Sequence, residues 1–292
     1  MPTDRHNTVS TRQRQWCATQ ARMLRVLTIL DSLLTIRATR ANKTFIHDFR
    51  VASRRAHEVL HVGILALTSS QRNNARHVVK GLRQLRRAAG RVRDLDVLTD
   101  NLTKLSTTQE PAHLAGHDAA RRQVLQRLCL DINRFAADAR LKQLAAQIRQ
   151  TPEEHLIAKL NTRIERNHRR FSELAASALA KPTDRHTHRL RIAGKRLRYA
   201  LELLPRHNRQ LTSTLQVLKD LQDALGQRHD LEVLRQHLQH IKRTLPLAGV
   251  GLSQKQWKQL MHQTDDRIES LMQSFTANPS LRELMTSSAM HF

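Results

Sequence analysis

The chain has 292 residues, in which 50 Lys and Arg oppose 25 Asp and Glu, so its formal net charge is +25 and its isoelectric point is near 11.6. This excess disfavours an ordinary neutral enzyme and points to an anionic partner. The proportions of 39% apolar and 26% charged residues exclude a disordered chain, and 8 Gly, 7 Pro and 3% aromatic residues are too few for a β-rich fold.

Helical periodicity runs through nearly the whole sequence. Predicted starts lie at Asn42, Thr151-Pro152, Ser253 and Asn278-Pro279, where a capping residue or a proline precedes an apolar pattern. Residues 1–13 are expected to form a flexible N-terminus. The fold class is therefore predicted to be all-α, with antiparallel bundles of long helices. The eight predicted helices span residues 14–39, 43–68, 71–105, 111–149, 153–180, 184–204, 207–244 and 254–275.

No segment predicts a membrane span or a secreted protein. Apolar runs such as residues 24–36 fall short of the roughly 20 residues that a spanning helix needs. The N-terminus lacks the apolar core of a signal peptide, and two cysteines are too few for a disulfide framework. We therefore expect a cytoplasmic protein without membrane contact.

The sequence contains an internal repeat. Residues 47–55 (HDFRVASRR) recur 141 positions later as HRLRIAGKR, and residues 82–98 recur 136 positions later, which pairs Gly90 with Gly226. Two blocks in the same order at nearly the same offset predict two homologous halves.

Each half is predicted to be a four-helix bundle, the first at residues 14–150 and the second at residues 151–292. The net charge is 27 − 11 = +16 in residues 1–150 and 23 − 14 = +9 in the remainder. Both halves are therefore expected to contact the anionic partner.

Each repeat carries a narrow row of cationic side chains along one face of a predicted helix. At 100° per residue, these side chains lie opposite an apolar face. Like charges three or four positions apart destabilise a helix, so a row that is repeated in both halves indicates a ligand rather than a solvated face. The rows consist of His47, Arg50, Arg54, His57 and His61 in the first copy and of His188, Arg191, Lys195 and Arg198 in the second.

The helix that follows each row adds further charge, mainly in the first half. In the second copy an amide and an acid replace two of the three cations, so the first half is predicted to be the stronger anion site. The cations are Lys80, Arg83 and Arg87 in the first copy, matched only by Lys219 in the second.

The excess of 39 Arg over 11 Lys narrows the chemical class of the anionic partner. A guanidinium group makes paired hydrogen bonds to phosphate or carboxylate oxygens, so rows of Arg suit closely spaced phosphates. A histidine beside such a polyanion is expected to shift toward its charged form.

The repeated blocks resemble the two motifs of the CHAD family, the conserved histidine α-helical domain. The first motif, HxxRVxxRRxR, is similar to residues 47–57 and again to residues 188–198, and the second, LGxxRDxDV, is similar to residues 89–97. The resemblance covers about residues 15–290, nearly the whole chain. It implies two pseudo-symmetric four-helix bundles with a basic groove or pore between them. It also implies binding of inorganic polyphosphate, in some members at polyphosphate granules.

The resemblance and the cationic rows together give a set of candidate polyphosphate-binding residues. Sulfate or phosphate is expected to occupy the same site in crystals. The sequence departs from the family pattern at His57, where Arg is usual. It also departs at Gly194, Gln227 and His229, so the second copy matches the motifs less closely. The candidates are His47, Arg50, Arg54, Arg55, His57, Lys80, Arg83, Arg87, His188, Arg191, Lys195, Arg196, Arg198 and Lys219.

Nucleic acid is the main alternative partner. Both ligands are phosphate polymers that bind through many Lys and Arg contacts and release counterions. Proteins that bind single strands stack bases on aromatic side chains, whereas Tyr199 is the only Tyr, and Trp16 and Trp257 lie outside the cationic rows. Polyphosphate is therefore favoured over nucleic acid.

A phosphoryl-transfer enzyme or a metal site is the remaining alternative. His57 and His61 have the spacing of metal ligands, but their cationic surroundings would repel a metal ion. Asp94, Asp96 and Asp230 are candidate catalytic carboxylates, although their position after a glycine-marked break favours helix capping or pairing with Arg. No phosphate-binding loop, zinc-protease or serine-hydrolase motif occurs. We therefore predict a binding protein without a cofactor or metal.

Overall fold

The structure, a computed structural model, describes residues 5–35, 42–105, 112–205, 209–244 and 253–286. The described residues form ten α-helices and no strand, which confirms the predicted all-α class. None of these helices combines the length and the apolarity needed to cross a membrane. The helices are α1 (Arg5–Leu34), α2 (Lys43–Ala66), α3 (Ser69–Leu105), α4 (Ala112–Ala136), α5 (Arg140–Gln150), α6 (Glu153–Ala180), α7 (Asp184–Leu201), α8 (Arg209–Thr244), α9 (Gln254–Thr276) and α10 (Pro279–Thr286).

One predicted helix, at residues 111–149, is interrupted at Asp138. The Asp138 carboxylate accepts a hydrogen bond from the Arg140 amide at 3.1 Å, so this side chain competes with the helical pattern. The second half also breaks near its end, where Asn278 accepts a hydrogen bond from the Leu281 amide at 3.1 Å and starts α10. In the described residues each half therefore contains five helices, one more than predicted.

Capping residues begin helices at equivalent positions of the repeat. At the start of α2, Asn42 accepts a hydrogen bond from the Phe45 amide at 2.8 Å. At the start of α7, 141 positions later, Thr183 accepts one from the His186 amide at 3.4 Å. The predicted cap at Ser253 is confirmed as a capping box.

The prediction that Thr151 caps the following helix is wrong. Its hydroxyl donates to the Gln147 carbonyl at 2.8 Å, so Thr151 closes α5 instead. Pro152 holds the cap position of α6. Glu153 and Glu154 occupy the first turn of α6, where they face the positive end of the helix dipole.

α1 begins at Arg5, whereas its start was predicted at residue 14. No Gly or Pro interrupts residues 5–35, so the helical pattern continues toward the N-terminus. Residues 5–13, which were expected to be flexible, are therefore helical.

The two halves, α1–α5 and α6–α10, repeat the same packing. α2 lies between α1 and α3, as α7 lies between α6 and α8, and the fifth helix of each half packs on the first and third. Between the halves, α2 packs against α6 and α7, and α3 contacts α8. The two helices that carry the cationic rows, α2 and α7, are therefore neighbours.

Buried apolar side chains form one contiguous cluster that extends through both halves. Phe49 on α2 and Phe171 on α6 are completely buried within it. A core of this kind holds α2 and α7 in a fixed relation, so the cations on their polar faces are placed by packing and not by the ligand.

Candidate anion-binding site

Four half-buried cations come together where α2 packs against α7. Arg50 and Arg54 lie on α2, and Arg191 and Lys195 lie on α7. The four are close enough for their charges to act on one another. We call these four residues the central cluster.

The members of the central cluster repel one another. Burial, followed by the charges of Arg54, Arg191 and Arg50, lowers the pKa of Lys195 from 10.5 to about 6. Burial and the charge of Arg54 also lower the pKa of Arg50 to about 10. Because charges that are partly removed from water need a counter-charge, a bound anion would relieve this repulsion.

Gly90 on α3 makes room for Arg50. The helix break expected at Gly90 is absent, since α3 continues without interruption. A Cβ at position 90 would lie only 3.0 Å from Nη1 of Arg50, so the guanidinium group crosses α3 at the glycine. At Gly226, the equivalent position in α8, nothing lies within 4 Å of such a Cβ. Only in the first half does this glycine therefore lie against an arginine of the central cluster.

Two aspartates at equivalent positions of the repeat lie beside the central cluster. The charges of Asp230 and Asp94 partly offset the lowering of the pKa of Arg191, which burial and Arg54 cause. Burial raises the pKa of Asp230 itself, although Arg93 opposes this. The Nε of Arg191 is buried and has no hydrogen-bond partner among the described residues. The site thus retains a donor that suits a phosphate oxygen.

Buried carboxylates hold the helices around the cluster. Glu58 on α2 accepts hydrogen bonds from Nε and Nη2 of Arg163 on α6, at 2.9 and 2.8 Å. Burial acts to raise the pKa of Glu58, but a hydrogen bond from His57 and the charge of Arg163 outweigh burial and lower it to about 2. Asp96, a candidate catalytic acid, is fully buried and accepts a hydrogen bond from Arg121 at 2.5 Å. For Asp96, pairing with Arg is confirmed.

His188 is a predicted histidine that lies beside the central cluster. Burial and the charges of Arg191 and Lys195 lower its pKa. Its ring lies 5.5 Å from that of His229 on α8, measured between centroids. The pKa of His229 is lowered to about 4 by burial and by the same group of cations. Without an anion, this histidine pair is therefore held toward its neutral form.

The other predicted histidines lie elsewhere. His57 is buried, with Nδ1 3.6 Å from a Glu58 oxygen and its ring centroid 4.5 Å from that of His61. His47 is exposed and lines a groove between α1 and α2. The structure therefore does not bring all members of the two rows together.

Arg55 and Arg198 meet at one acidic residue, Glu202. Nε of Arg55 donates to Glu202 at 2.8 Å, and Nε of Arg198 lies 3.4 Å from the other carboxylate oxygen. Their guanidinium carbons also lie 5.9 and 5.1 Å from the centroid of the Tyr199 ring. Arg55 thus stabilises the contact between α2 and α7, whereas the contacts of Arg198 lie within α7 and its C-terminal end.

The remaining candidates are exposed cations on α3, α7 and α8. Arg196 lies on α7 and lines a second groove, between α6 and α7. Within the described part of the chain, none of these residues forms an ion pair with a carboxylate. The others are Lys80, Arg83 and Arg87 on α3 and Lys219 on α8.

The sequence model of the CHAD domain matches residues 28–239, which is most of the chain. The chain belongs to the CHAD domain family. The CHAD domain from the plant Ricinus communis has a similar structure, with a TM-score of 0.55, 18% sequence identity and coverage of 94% of this chain and 92% of that one. PptA from Streptomyces chartreusis also has a TM-score of 0.55, at 17% identity over 92% of this chain and 99% of its own. No curated protein sequence matches the chain.

This CHAD domain places two further arginines at the site, Arg86 and Arg93, which were not among the candidate ligands. Burial and the charges of Arg54 and Arg196 lower the pKa of Arg86 to about 10, and the charge of Arg93 acts on Arg50. Arg86 lies four positions before Gly90, on the helix face that Arg50 crosses. The spacing of Arg86 and Gly90 was the only sign in the sequence that Arg86 belongs to the site, and it could be interpreted only once the position of Arg50 was known.

In the described portion of this CHAD domain, no three or more His, Cys, Asp or Glu side chains are arranged to hold a metal ion. Asp94 and Asp230 lie among cations instead. The chemistry that this arrangement offers is a group of guanidinium and ammonium donors for an anion.

Proposed function

We propose that this protein binds inorganic polyphosphate at the central cluster, and that it acts as a binding protein and not as an enzyme. One observation carries the proposal. The fold holds Arg50, Arg54, Arg191 and Lys195 together against their own repulsion, to the extent that the pKa of Lys195 falls to about 6. A polyanion supplies the missing counter-charge.

The geometry favours a phosphate polymer over a small anion. The cluster is built from both halves, and exposed cations continue along α3 beyond it. A linear polyphosphate presents one anionic group after another, so it can contact several of these cations at the same time. Such binding releases counterions and weakens steeply as salt increases.

The aromatic residues support polyphosphate rather than single-stranded nucleic acid. Tyr199 lies next to the site but is only 4% exposed and is covered by Arg55 and Arg198. It therefore offers no free face on which a base could stack. Nucleic acid remains the comparison ligand in the test below.

The decisive experiment is a titration with polyphosphate of defined length over a series of salt concentrations. In the variant Arg50→Ala/Arg54→Ala/Arg191→Ala/Lys195→Ala we expect a loss of affinity on the order of 100-fold, with a shallower salt dependence. The matched control removes four exposed cations from α8 and α9, with Arg243→Ala/Lys255→Ala/Lys258→Ala/Arg267→Ala. Circular dichroism establishes that both variants keep their helices.

Unchanged binding by the cluster variant, or equal affinity of the native protein for single-stranded DNA, would contradict the proposal. Phosphate release is measured in the same samples. Steady release in proportion to protein would refute the part of the proposal that excludes catalysis.

We also propose that the protein associates with polyphosphate granules through the same residues. Co-sedimentation with isolated granules tests this, and the cluster variant should remain in the supernatant while the control variant sediments.

A further inference from the structure

Two grooves of the molecule are copies of one feature. The first lies between α1 and α2 with a volume of about 820 Å³, and the second lies between α6 and α7 with a volume of about 160 Å³. Every residue that lines the second groove has a counterpart 141 positions earlier that lines the first. The repeat therefore extends to α1 and α6, where no sequence block revealed it.

The two grooves differ in charge. Where the first groove has Ile29 and Asp48, the second has Arg170 and Arg189, while both have an Arg at the position of Arg196. At the equivalent positions the first groove carries one Arg and one Asp, for a net charge of 0, and the second carries three Arg and no acid, for +3. The rest of the first groove's lining adds two Arg and one Glu, which gives that groove a net charge of +1 against +3 for the second. The second groove is therefore the more cationic of the two.

The arginines of the second groove are available to a ligand. The first-groove counterpart of Arg196 is Arg55, which is bound to Glu202 at 2.8 Å, whereas Arg196 and Arg189 form no ion pair among the described residues. Arg170 contacts Glu173 at 2.8 Å, but both side chains are half exposed, and such surface pairs contribute little.

The floor of the second groove is ordered by a buried amide. Asn167 on α6 donates to the Arg196 carbonyl on α7 at 3.3 Å and is 7% exposed. This bond joins the two helices beneath the arginines, so the groove is held open by the fold. A volume of 160 Å³ admits several water-sized groups.

The second groove is connected to the central cluster by charge. The charges of Arg54 in the cluster and of Arg196 in the groove both lower the pKa of Arg86 on α3. The charge of Arg196 also lowers the pKa of His61. Cations therefore continue from the cluster to the second groove without an acid in its lining, whereas the arginines of the first groove are accompanied by Asp48 and Glu202.

We propose that a polyphosphate chain held at the central cluster continues past Arg86 and Arg196 into the second groove, where Arg170 and Arg189 bind its phosphates. The chain does not enter the first groove, because Asp48 repels it. This inference rests on the proposed function and assigns a direction to the bound polymer. It also adds Arg170 and Arg189 to the binding residues.

The test gives the second groove the chemistry of the first, with the variant Arg170→Ile/Arg189→Asp. We expect long-chain polyphosphate to bind about tenfold more weakly, and the slope of log affinity against log salt to fall by about 2, because each phosphate contact contributes about 1. Tripolyphosphate, which occupies the cluster alone, should bind with unchanged affinity. The control Lys258→Ile/Arg267→Asp makes the same change of charge on exposed positions of α9 and should bind both ligands normally.

The outcomes separate this inference from the proposed function. If Arg170→Ile/Arg189→Asp binds long chains like the native protein while the cluster variant does not, the direction is wrong and the proposed function stands. If tripolyphosphate binding falls as much as long-chain binding, the groove acts on the cluster and is not an extension of it, which also overturns the inference. If the cluster variant binds normally, the proposed function itself fails.

Discussion

The two halves of this CHAD domain have the same framework but different chemistry at their contact. Position 58 of the first half is Glu, which binds the buried Arg163 of the second half. The equivalent position of the second half is Tyr199, which lies 5.9 Å from the guanidinium carbon of Arg55 in the first. The equivalent positions 58 and 199 thus contact non-equivalent partners, a guanidinium group of α6 in an ion pair and a guanidinium group of α2 over an aromatic ring.

The same difference extends to the anion site. Arg54 in the first half is replaced by Lys195 in the second, and Asp48 is replaced by Arg189. A repeated backbone therefore does not imply repeated function, because charges placed on equivalent positions meet different partners across the contact between the halves. Three comparisons of equivalent or analogous residues test this view.

The largest destabilisation is expected at the buried ion pair. Glu58→Gln leaves the charge of Arg163, whose side chain is 11% exposed, without its counter-ion, and should lower the free energy of unfolding by about 3 kcal/mol. Glu202→Gln, which affects the more exposed Arg55 and the longer 3.4 Å pair with Arg198, should cost less than Glu58→Gln. Urea denaturation at neutral pH measures both, and equal losses would contradict the asymmetry.

The Glu58 pair also predicts an acid dependence. The pKa of Glu58 is about 2 in the folded protein, below its ordinary value of 4.5. The stabilisation is therefore present above pH 4.5 and is lost as the pH falls toward 2. In Glu58→Gln this part of the acid destabilisation should be absent.

An effect of opposite sign, a stabilisation, is expected at Lys195. Its folded pKa of about 6 lies below the ordinary 10.5, so between these values the unfolded chain binds a proton that the folded chain does not. Stability from this group therefore rises with pH through that window. Lys195→Met should stabilise the protein without ligand, most strongly near pH 6 and hardly at all near pH 10. A gain that does not change with pH would show that packing, and not charge, causes it.

Ligand binding should reverse the shift at Lys195. A polyanion favours the ammonium form, so binding of polyphosphate at pH 8 should take up protons. Calorimetry in buffers with different ionisation enthalpies measures this uptake. Lys195→Arg keeps the charge and should abolish the contribution of this residue to proton uptake. Proton uptake by Arg54→Lys, which places a lysine at the equivalent position of the first half, is measured for comparison.

The smallest effect is expected at the two glycines. Gly226→Ala should stabilise the protein by about 0.5 to 1 kcal/mol, because a glycine inside a helix costs that much and the site is open. Gly90→Ala should gain less, since the added methyl group meets Arg50 at 3.0 Å. It should also weaken polyphosphate binding, whereas Gly226→Ala should not. Identical behaviour of the two variants would disprove the role of Gly90.

Much of the fold could be predicted from sequence because helices depend on local patterns. The caps at Asn42 and Ser253 and the extents of α2 and α6 follow from residues within one or two turns. The break at Asp138 was missed because its side chain competes with a pattern that otherwise continues. Thr151 was assigned to the wrong helix, since a capping residue between two helices can serve either one.

The candidate site was only partly predictable. The repeat pointed to Arg50, Arg54, Arg191 and Lys195, and the structure brings these four together. The position of Arg55 could not be inferred, because it pairs with Glu202 only once α2 and α7 are packed, whereas Arg198 and Glu202 form a local i,i+4 pair.

The sequence by itself determined the helical class, the repeat and the excess of arginine, because composition and periodicity are properties of the chain. Tertiary structure decided which cations repel one another, which are paired, and which of two equivalent grooves is the more cationic. The physical reason is that charge interactions depend on distance and burial. Neither quantity exists until the two halves are packed together.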